Sequence, residues 1–424
     1  MGTIDTIIKN GCVIDPKNGL RKIAHVGITD GRICYVGDKI PVQATDIYDA
    51  TGCIVTPGLI DCHVHCYEHA TPLGINPDES CLSRGVTTVV DAGSAGASTF
   101  PGLRKFIAER SKTRVLCFLH VVLHGLASGG CALGAGGGEL DSLNQLDIVA
   151  CEKCLEKNRD MIVGFKLRLA DSLSDGGRNE KEAYRRSLSM SESCKVPLMV
   201  HHTFSTVPVQ RENDSGVLAC PGDMKKGDIY THMYNAHMSC IVDPTTRSIH
   251  KDVIDAKRRG VLFDIGHGHG SFSWAVAEIC GKQKFWPDII STDLHNMSEA
   301  GPAYDLPSVM SKLFHVGMPL DDVIKAATST PADAIGWGDR IGSLTIGFEA
   351  DVTVLKLEEC DIFLEDSQSQ LRKIKKRFIP KAVWRSGIQH SCDAPSPFPN
   401  PKSIRANLGD YDNAVVRDDV RPVF

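Results

Sequence analysis

The sequence predicts an α/β protein, a (β/α)8 TIM-like barrel with a small discontinuous β-sandwich domain formed by both chain ends. Three observations carry that reading. Eight apolar runs of strand composition recur every 25 to 45 residues, roughly, through the middle of the chain. Stretches of helical composition fill the gaps, and alternating β and α units are what a closed parallel sheet requires. The two ends lack that rhythm and read as short β-rich segments broken by turn signals.

Residues 1–55 supply the first part of the β-sandwich: TIIKNGCVID, AHVGITDGRICYVG and DIYDATGCIV are separated by Pro-Lys-Asn-Gly, Asp-Gly and Thr-Gly turns. The barrel follows over 56–340. Its strand runs are IVTPGLIDCHVH (54–65), GVTTVVDAG (85–93), RVLCFLHVVL (114–123), MIVGFKLRL (161–169), VPLMVHH (196–202), DIYTHMYNA (228–236), GVLFDIGHG (260–268) and DIISTDLH (288–295). Helices are expected between them, as in FPGLRKFIAERSK (100–112) and NEKEAYRRSLSMSESC (179–194). Residues 341–390 return to β texture and complete the sandwich, and 391–424 form a Pro-rich C-terminal tail.

Composition narrows the function. With 424 residues, 42% apolar and 23% charged, the chain can bury a large core, which excludes disorder, collagen and coiled coil as overall classes. A net charge of −5, with Arg372–Arg377 (RKIKKR) as the one basic run, gives no nucleic-acid footprint, so a small-molecule substrate is the expected partner. There are no 18 consecutive apolar residues and no signal-peptide pattern, so no membrane partner is expected. Sixteen cysteines scattered without a disulfide-like spacing point to a reducing, cytoplasmic location. A homo-oligomer is left open.

In a parallel barrel the active site lies at the C-terminal ends of the strands. The first run ends in His63-Val64-His65, and strand alternation puts both imidazoles on one face, where they can reach one ion. Lys166 interrupts the apolar fourth run, where an unpartnered ammonium would be costly. The fifth run ends in His201-His202, the sixth contains His232, and the eighth ends Ser291-Thr292-Asp293. Five strand ends thus offer His, His, Lys, His, His and Asp.

That order resembles the binuclear-metal type of the amidohydrolase superfamily, with VTPGLIDCHVH and IGSLTIGFEADVTVL similar to its entry and exit signatures. MVHHT, Gly266–Phe272, STDLH and GPAYDLPSVMSKLFHVGMPL look like the bacterial amidohydrolase/deacetylase group, which is associated with acetyl esters of α-hydroxy acids. The resemblance implies metal positions at His63, His65, Lys166, His201, His232 and Asp293, selecting His201 over His202. It further implies two divalent ions, Zn²⁺ being the first choice for a donor set with four His, bridged by carboxylated Lys166 (N6-carboxylysine). Attack of a metal-bridging hydroxide on an amide or ester is expected, with Asp293 as catalytic general base and then acid.

Other residues are candidates for substrate contact. Arg168 shares the inward face of Lys166 and would either clamp a substrate carboxylate or neutralise a barrel carboxylate such as Asp91. His267 follows the seventh run in a Gly-rich loop, while Tyr234 and Asn235 lie just past His232. Cys62 and Cys66 flank the HxH pair but face the other way, so core packing is their expected role. The Gly-rich stretch 125–140 reads as a flap or a linker. Overall the expectation is a deacetylase-like hydrolase; a cyclic amidohydrolase of the dihydroorotase or imidase kind is the alternative, and a non-catalytic scaffold a third reading that the full ligand set argues against.

Overall fold

A computed structural model describes residues 4–40, 43–127, 137–212 and 216–392. The centre of the Gly-rich stretch and the tail from 393 onward lie outside the described residues.

Strands β1 (Ile4–Asp15), β2 (Leu20–Thr29), β3 (Arg32–Gly37), β4 (Ala44–Asp49) and β5 (Ile54–Pro57) come first. A register shift in β1 between Ile8 and Gly11 lets one strand take two parallel partners, β4 along its first half and β5 along its second. The chain then enters a parallel sheet of β6 (Leu59–Val64), β7 (Val86–Gly96), β8 (Arg114–His120), β9 (Ile162–Leu169), β10 (Leu198–His202), β11 (Ile229–Thr231) and β12 (Leu262–Phe263), ordered by sequence. Finally β13 (Val352–Glu365), β14 (Leu371–Arg385) and β15 (Ile388–His390) return to the first sheet, where β13 pairs with β5.

The seventh and eighth runs differ from expectation. Only Leu262 and Phe263 of the seventh form a regular strand, and the eighth forms none. Single parallel bridges, Asp264 to Ile289 and Leu294 to Val64, instead link that last segment to β12 on one side and to β6 on the other. Side chains take over where the ladder stops. Asp61 accepts from the Thr292 backbone N–H at 3.0 Å and from its hydroxyl at 2.6 Å, and the Ser291 hydroxyl donates to Asp264 at 2.6 Å.

Inside the sheet, Ile60, Val90, Leu116, Phe118, Met199, Ile229 and Ile289 form one apolar cluster with Ala332 of the helix Ser329–Ala334. Burying such side chains contributes about 1.5–3 kcal/mol each. The helix Glu180–Cys194 agrees with the sequence reading, whereas 100–112 gives one α-turn and then a π-helical stretch, Leu103–Ala108.

The basic run 372–377 lies inside β14, opposite β13. Lys375 and Lys373 pair with Asp361 at 2.7 and 2.8 Å, and Lys376 with Glu359 at 3.0 Å, so the run is a solvated hairpin face. No helix among the described residues is long and apolar enough to cross a membrane.

Arg114, buried at the start of β8, ties the two sheets together. Its guanidinium bonds Asp351 and Glu349 from the approach to β13, and donates to Thr88 of β7 at 2.7 Å. Replacing Arg114 with Met strands the Asp351 carboxylate in a site almost without water, and a loss of about 3–5 kcal/mol is expected, read as a lower Tm in thermal unfolding. Lys105→Met, which removes an exposed pair with Glu109, should leave Tm unchanged. Equal melting curves for the two variants would dismiss Arg114 as the link.

Candidate metal centre

The expected donors meet at the C-terminal end of the parallel sheet. His63 lies in β6 and His65 just beyond it; Lys166 comes from β9 and His201 from β10. His232 follows β11 and Asp293 lies within the bridged eighth segment, both with left-handed backbone (φ 65° and 47°) that costs energy in non-glycine residues. That backbone turns their side chains toward the others: ligand atoms of His63, His232 and Asp293 lie within 4.8 Å of one another. His65 Nε2 stands 3.1 Å from Asp293 Oδ1, and the His201 ring stands 4.3 Å from the His232 ring, centroid to centroid. Lys166 Nζ, buried, lies 2.9 Å from His63 Nε2 and 3.4 Å from Met199 Sδ.

Neighbours orient each ring. His63 Nδ1 is 3.0 Å from the Thr231 hydroxyl and 3.4 Å from Asp264, which leaves Nε2 facing the cluster. His65 Nδ1 meets the Ser94 hydroxyl at 3.0 Å, and Asp91 in turn accepts from the backbone of Ser94 and Cys66. His232 Nδ1–H donates to Gly266 O at 2.6 Å, so its Nε2 carries the lone pair. His201 uses the other nitrogen, Nε2, against the Thr203 hydroxyl at 2.7 Å.

Electrostatics favours neutral imidazoles beside an anion. Burial pushes His232 down to about 4 and His63 well below the ordinary histidine range. Burial also pushes the Lys166 ammonium down to about 7. For Asp293 burial acts upward, but His63 and His65 beside it win and hold the carboxyl well below its usual range. The buried His232 Nε2 has no hydrogen-bond partner. A buried lone pair left unmade is costly, and four imidazoles, a carboxylate and a lysine amine are donors that suit a divalent metal. The residues fit such an ion.

The glycines of the seventh-run loop give the cluster its room. A Cβ on Gly268 would lie 2.4 Å from Asp293 Oδ2, and one on Gly266 would lie 2.2 Å from Thr231 Oγ1. Both have positive φ, 52° and 46°.

The candidate substrate contacts divide. Arg168 shares the strand of Lys166, and its guanidinium lies 3.5 Å from Glu139 Oε2, a buried carboxylate that it can neutralise. Glu139 is buried and takes its other oxygen to His120 Nε2 at 3.1 Å; His120 Nδ1 accepts from Val122 N–H at 3.0 Å. Tyr234 turns into the core, its hydroxyl donating to Phe285 O at 3.2 Å. Asn235 spends both ends of its amide locally, on His232 O and His237 N–H. His267 stacks on Phe272 at 4.5 Å, and its Nε2 meets Lys312 Nζ at 2.7 Å. His202 turns outward to Tyr230 and Val207 O, and Cys62 and Cys66 are buried, as alternation implies.

Sequence reasoning overlooked Asp61, Ser94, Glu139, His120, Thr231, Asp264 and Lys312. A signal existed for some of them: Asp61, His120 and Asp264 are polar residues inside apolar strand runs, as Lys166 is.

A parallel sheet with this donor cluster at its C-terminal end, read with the relatives below, defines a hydrolase acting on carbon–nitrogen bonds, and the chain belongs to the amidohydrolase family. A profile described as the amidohydrolase family matches residues 274–389. The chain is 34% identical over 358 residues to a protein named Deacetylase from Agrobacterium fabrum, 83% of each chain being covered. To a Deacetylase from Enterococcus faecalis it is 32% identical over 381 residues, 89% of this chain and 96% of that one. The crystal structure of an adenine deaminase matches 92% of this chain and all of its own (100%) with a TM-score of 0.82 at 29% identity. That of a dihydroorotase matches 92% of this chain and 99% of its own, with a TM-score of 0.80 at 30% identity.

Gly268→Ala tests the close approach of this loop to Asp293. The expected outcome is a folded protein with an unchanged circular dichroism spectrum, less bound metal, and turnover lowered about 100-fold, in line with a 1 Å misplacement. Wild-type metal content and rate in this variant would refute the packing argument.

Proposed function

We propose that the chain is a divalent-metal-dependent hydrolase of the deacetylase type, cleaving an amide or ester of a small, carboxylate-bearing substrate. The observation that carries this reading is the meeting of His63, His232 and Asp293 within 4.8 Å, flanked by His65, His201 and buried Lys166. The 34% identity to a protein named Deacetylase sets the direction of the chemistry.

His63, His65, His201, His232, Asp293 and Lys166 hold two divalent ions, Zn²⁺ first among them. Bound there, the ions supply an activated water near neutral pH and a Lewis acid for the substrate carbonyl. Lys166 would contribute as a carbamate: the Nζ ammonium gives up two protons and bonds the carbon of CO₂, which turns a buried cation into an –NH–COO⁻ anion with two oxygens. Asp293 sits at the rim, its side chain 13% exposed, and takes a proton from water during attack. It then delivers that proton to the departing nitrogen or oxygen, so one part of the water ends on the acyl carbon and the other on the leaving group. Arg168 accepts the substrate carboxylate. An ion pair at 3.5 Å sets it beside buried Glu139, which His120 holds in turn, so the guanidinium is placed before substrate arrives. The partner is this small molecule in the cytoplasm, with neither nucleic acid nor membrane involved.

A second reading keeps the site and changes the substrate to a cyclic amide. The dihydroorotase structure at TM-score 0.80 favours it, as does a 62-residue stretch 45% identical to a dihydroorotase from Streptococcus pneumoniae. A screen of N-acetyl and O-acetyl acids against dihydroorotate and hydantoins separates the two. A scaffold role would return only if the freshly purified protein held no metal.

Asp293→Asn should lower kcat about 10³-fold while keeping most of the metal; near wild-type turnover with two metals bound would remove Asp293 from its role. Arg168→Met should raise KM for acids while sparing the matching neutral esters. An equal effect on both classes would exclude recognition of a carboxylate. Chelation should abolish turnover, and added Zn²⁺ should restore it.

A further inference from the structure

A second fully buried lysine, Lys312, lies outside the donor cluster. It belongs to the helix Leu306–Val316, whose first turn is capped by Asp305 accepting from Ser308 N–H at 2.8 Å. Its Nζ has three acceptors for three hydrogens: His267 Nε2 at 2.7 Å, Pro302 O at 2.7 Å and Glu365 O at 2.6 Å. The rings of Phe272 and Trp274 lie 5.3 and 5.7 Å away, within cation–π range. A buried ammonium so enclosed fixes its partners as firmly as they fix it, because any lost acceptor leaves an uncompensated charge.

The three acceptors belong to segments far apart in sequence, and one reaches the cluster. His267 Nε2 must be the bare nitrogen, so Nδ1 carries the hydrogen and donates to Gly268 O at 2.9 Å. On either side of His267, Gly266 O takes the hydrogen of His232 Nδ1 and Gly268 clears Asp293. From the other direction the turn after β13 grips the same segment. Asp366 accepts from Trp274 N–H at 3.0 Å, and the Ser367 hydroxyl accepts from Phe272 N–H at 3.1 Å.

We propose that Lys312 is a positioning residue for the metal centre, joining the β13–β14 turn to the loop that sets His232 and Asp293. The inference rests on the reading of the cluster as a metal site. Orienting partners of metal-bound imidazoles change metal affinity by about 10–100-fold when removed, and Lys312 acts one contact further out, through His267.

Zn²⁺ affinity of the full chain, measured by competition with a chromogenic chelator, is the test. Lys312→Met should bind Zn²⁺ at least tenfold more weakly and lower kcat with KM unchanged. Lys257→Met removes a lysine paired with Asp288 at 2.6 Å outside the site, and should lower Tm without changing affinity. Should Lys312→Met fail to fold, His267→Phe/Lys312→Met replaces the pair by apolar groups that keep the stack on Phe272; it too should lose affinity tenfold. Affinity within twofold of wild type in either folded variant overturns the inference alone. A wild-type chain that binds no divalent ion overturns the metal reading and this inference with it.

Discussion

The arrangement depends on the buried Asp264 carboxylate more than on any other single group. One oxygen accepts from the Ser291 hydroxyl at 2.6 Å, and the other accepts from Thr231 at 2.6 Å and lies 3.4 Å from His63 Nδ1. Four segments of the sheet are thereby referred to one point: β6, β11, the stretch after β12 and the bridged eighth segment. Burial pushes its pKa up to about 6. In such surroundings each charge-assisted hydrogen bond is stronger than in water, and any unpaired member is correspondingly costly. Closure of the sheet and orientation of the candidate ligands are one constraint, since Ser291 and Thr292 immediately precede Asp293.

Around that point the structure uses two kinds of cohesion. Below it, an apolar plug of Ile, Val, Leu and Phe side chains fills the sheet interior and fixes strand spacing through close packing. At the rim, packing gives way to polar chains that run outward from the cluster: His63 to Thr231, His65 to Ser94 and Asp91, Arg168 to Glu139 and His120. Each outer member limits the rotation or tautomer of the inner one, which is how a loop-rich rim holds donors in place. The left-handed backbone at His232 and Asp293 is tolerated because hydrogen bonds on both sides determine it.

Much of this was legible in the residues. The strand runs follow from periodicity, and strand parity with the cost of burying Lys166 draws attention to the polar groups at their ends; the set of six, with His201 chosen over His202, is what the family resemblance implies. What stayed hidden depended on contacts between distant segments. Nothing local marks Glu139, at the edge of a Gly-rich stretch, as the partner of Arg168. Tyr234 is expected on the face of His232 and Asn235 at the strand end, but β11 stops at Thr231 and the left-handed turn at His232 resets the parity. The basic run 372–377 offered no clue that it faces Glu359 and Asp361 across a long hairpin.

By itself, the sequence determined which chemical groups are present and at which strand ends they stand, because hydrophobic periodicity and side-chain type are local properties. Tertiary structure alone decided which nitrogen of each histidine faces the cluster, which carboxylate meets Arg168, and that the β13–β14 turn reaches the loop beside Asp293 through Lys312. Those outcomes are set by distances between segments up to 231 residues apart, as Asp61 and Thr292 are, and only closure of the sheet brings them within hydrogen-bond range.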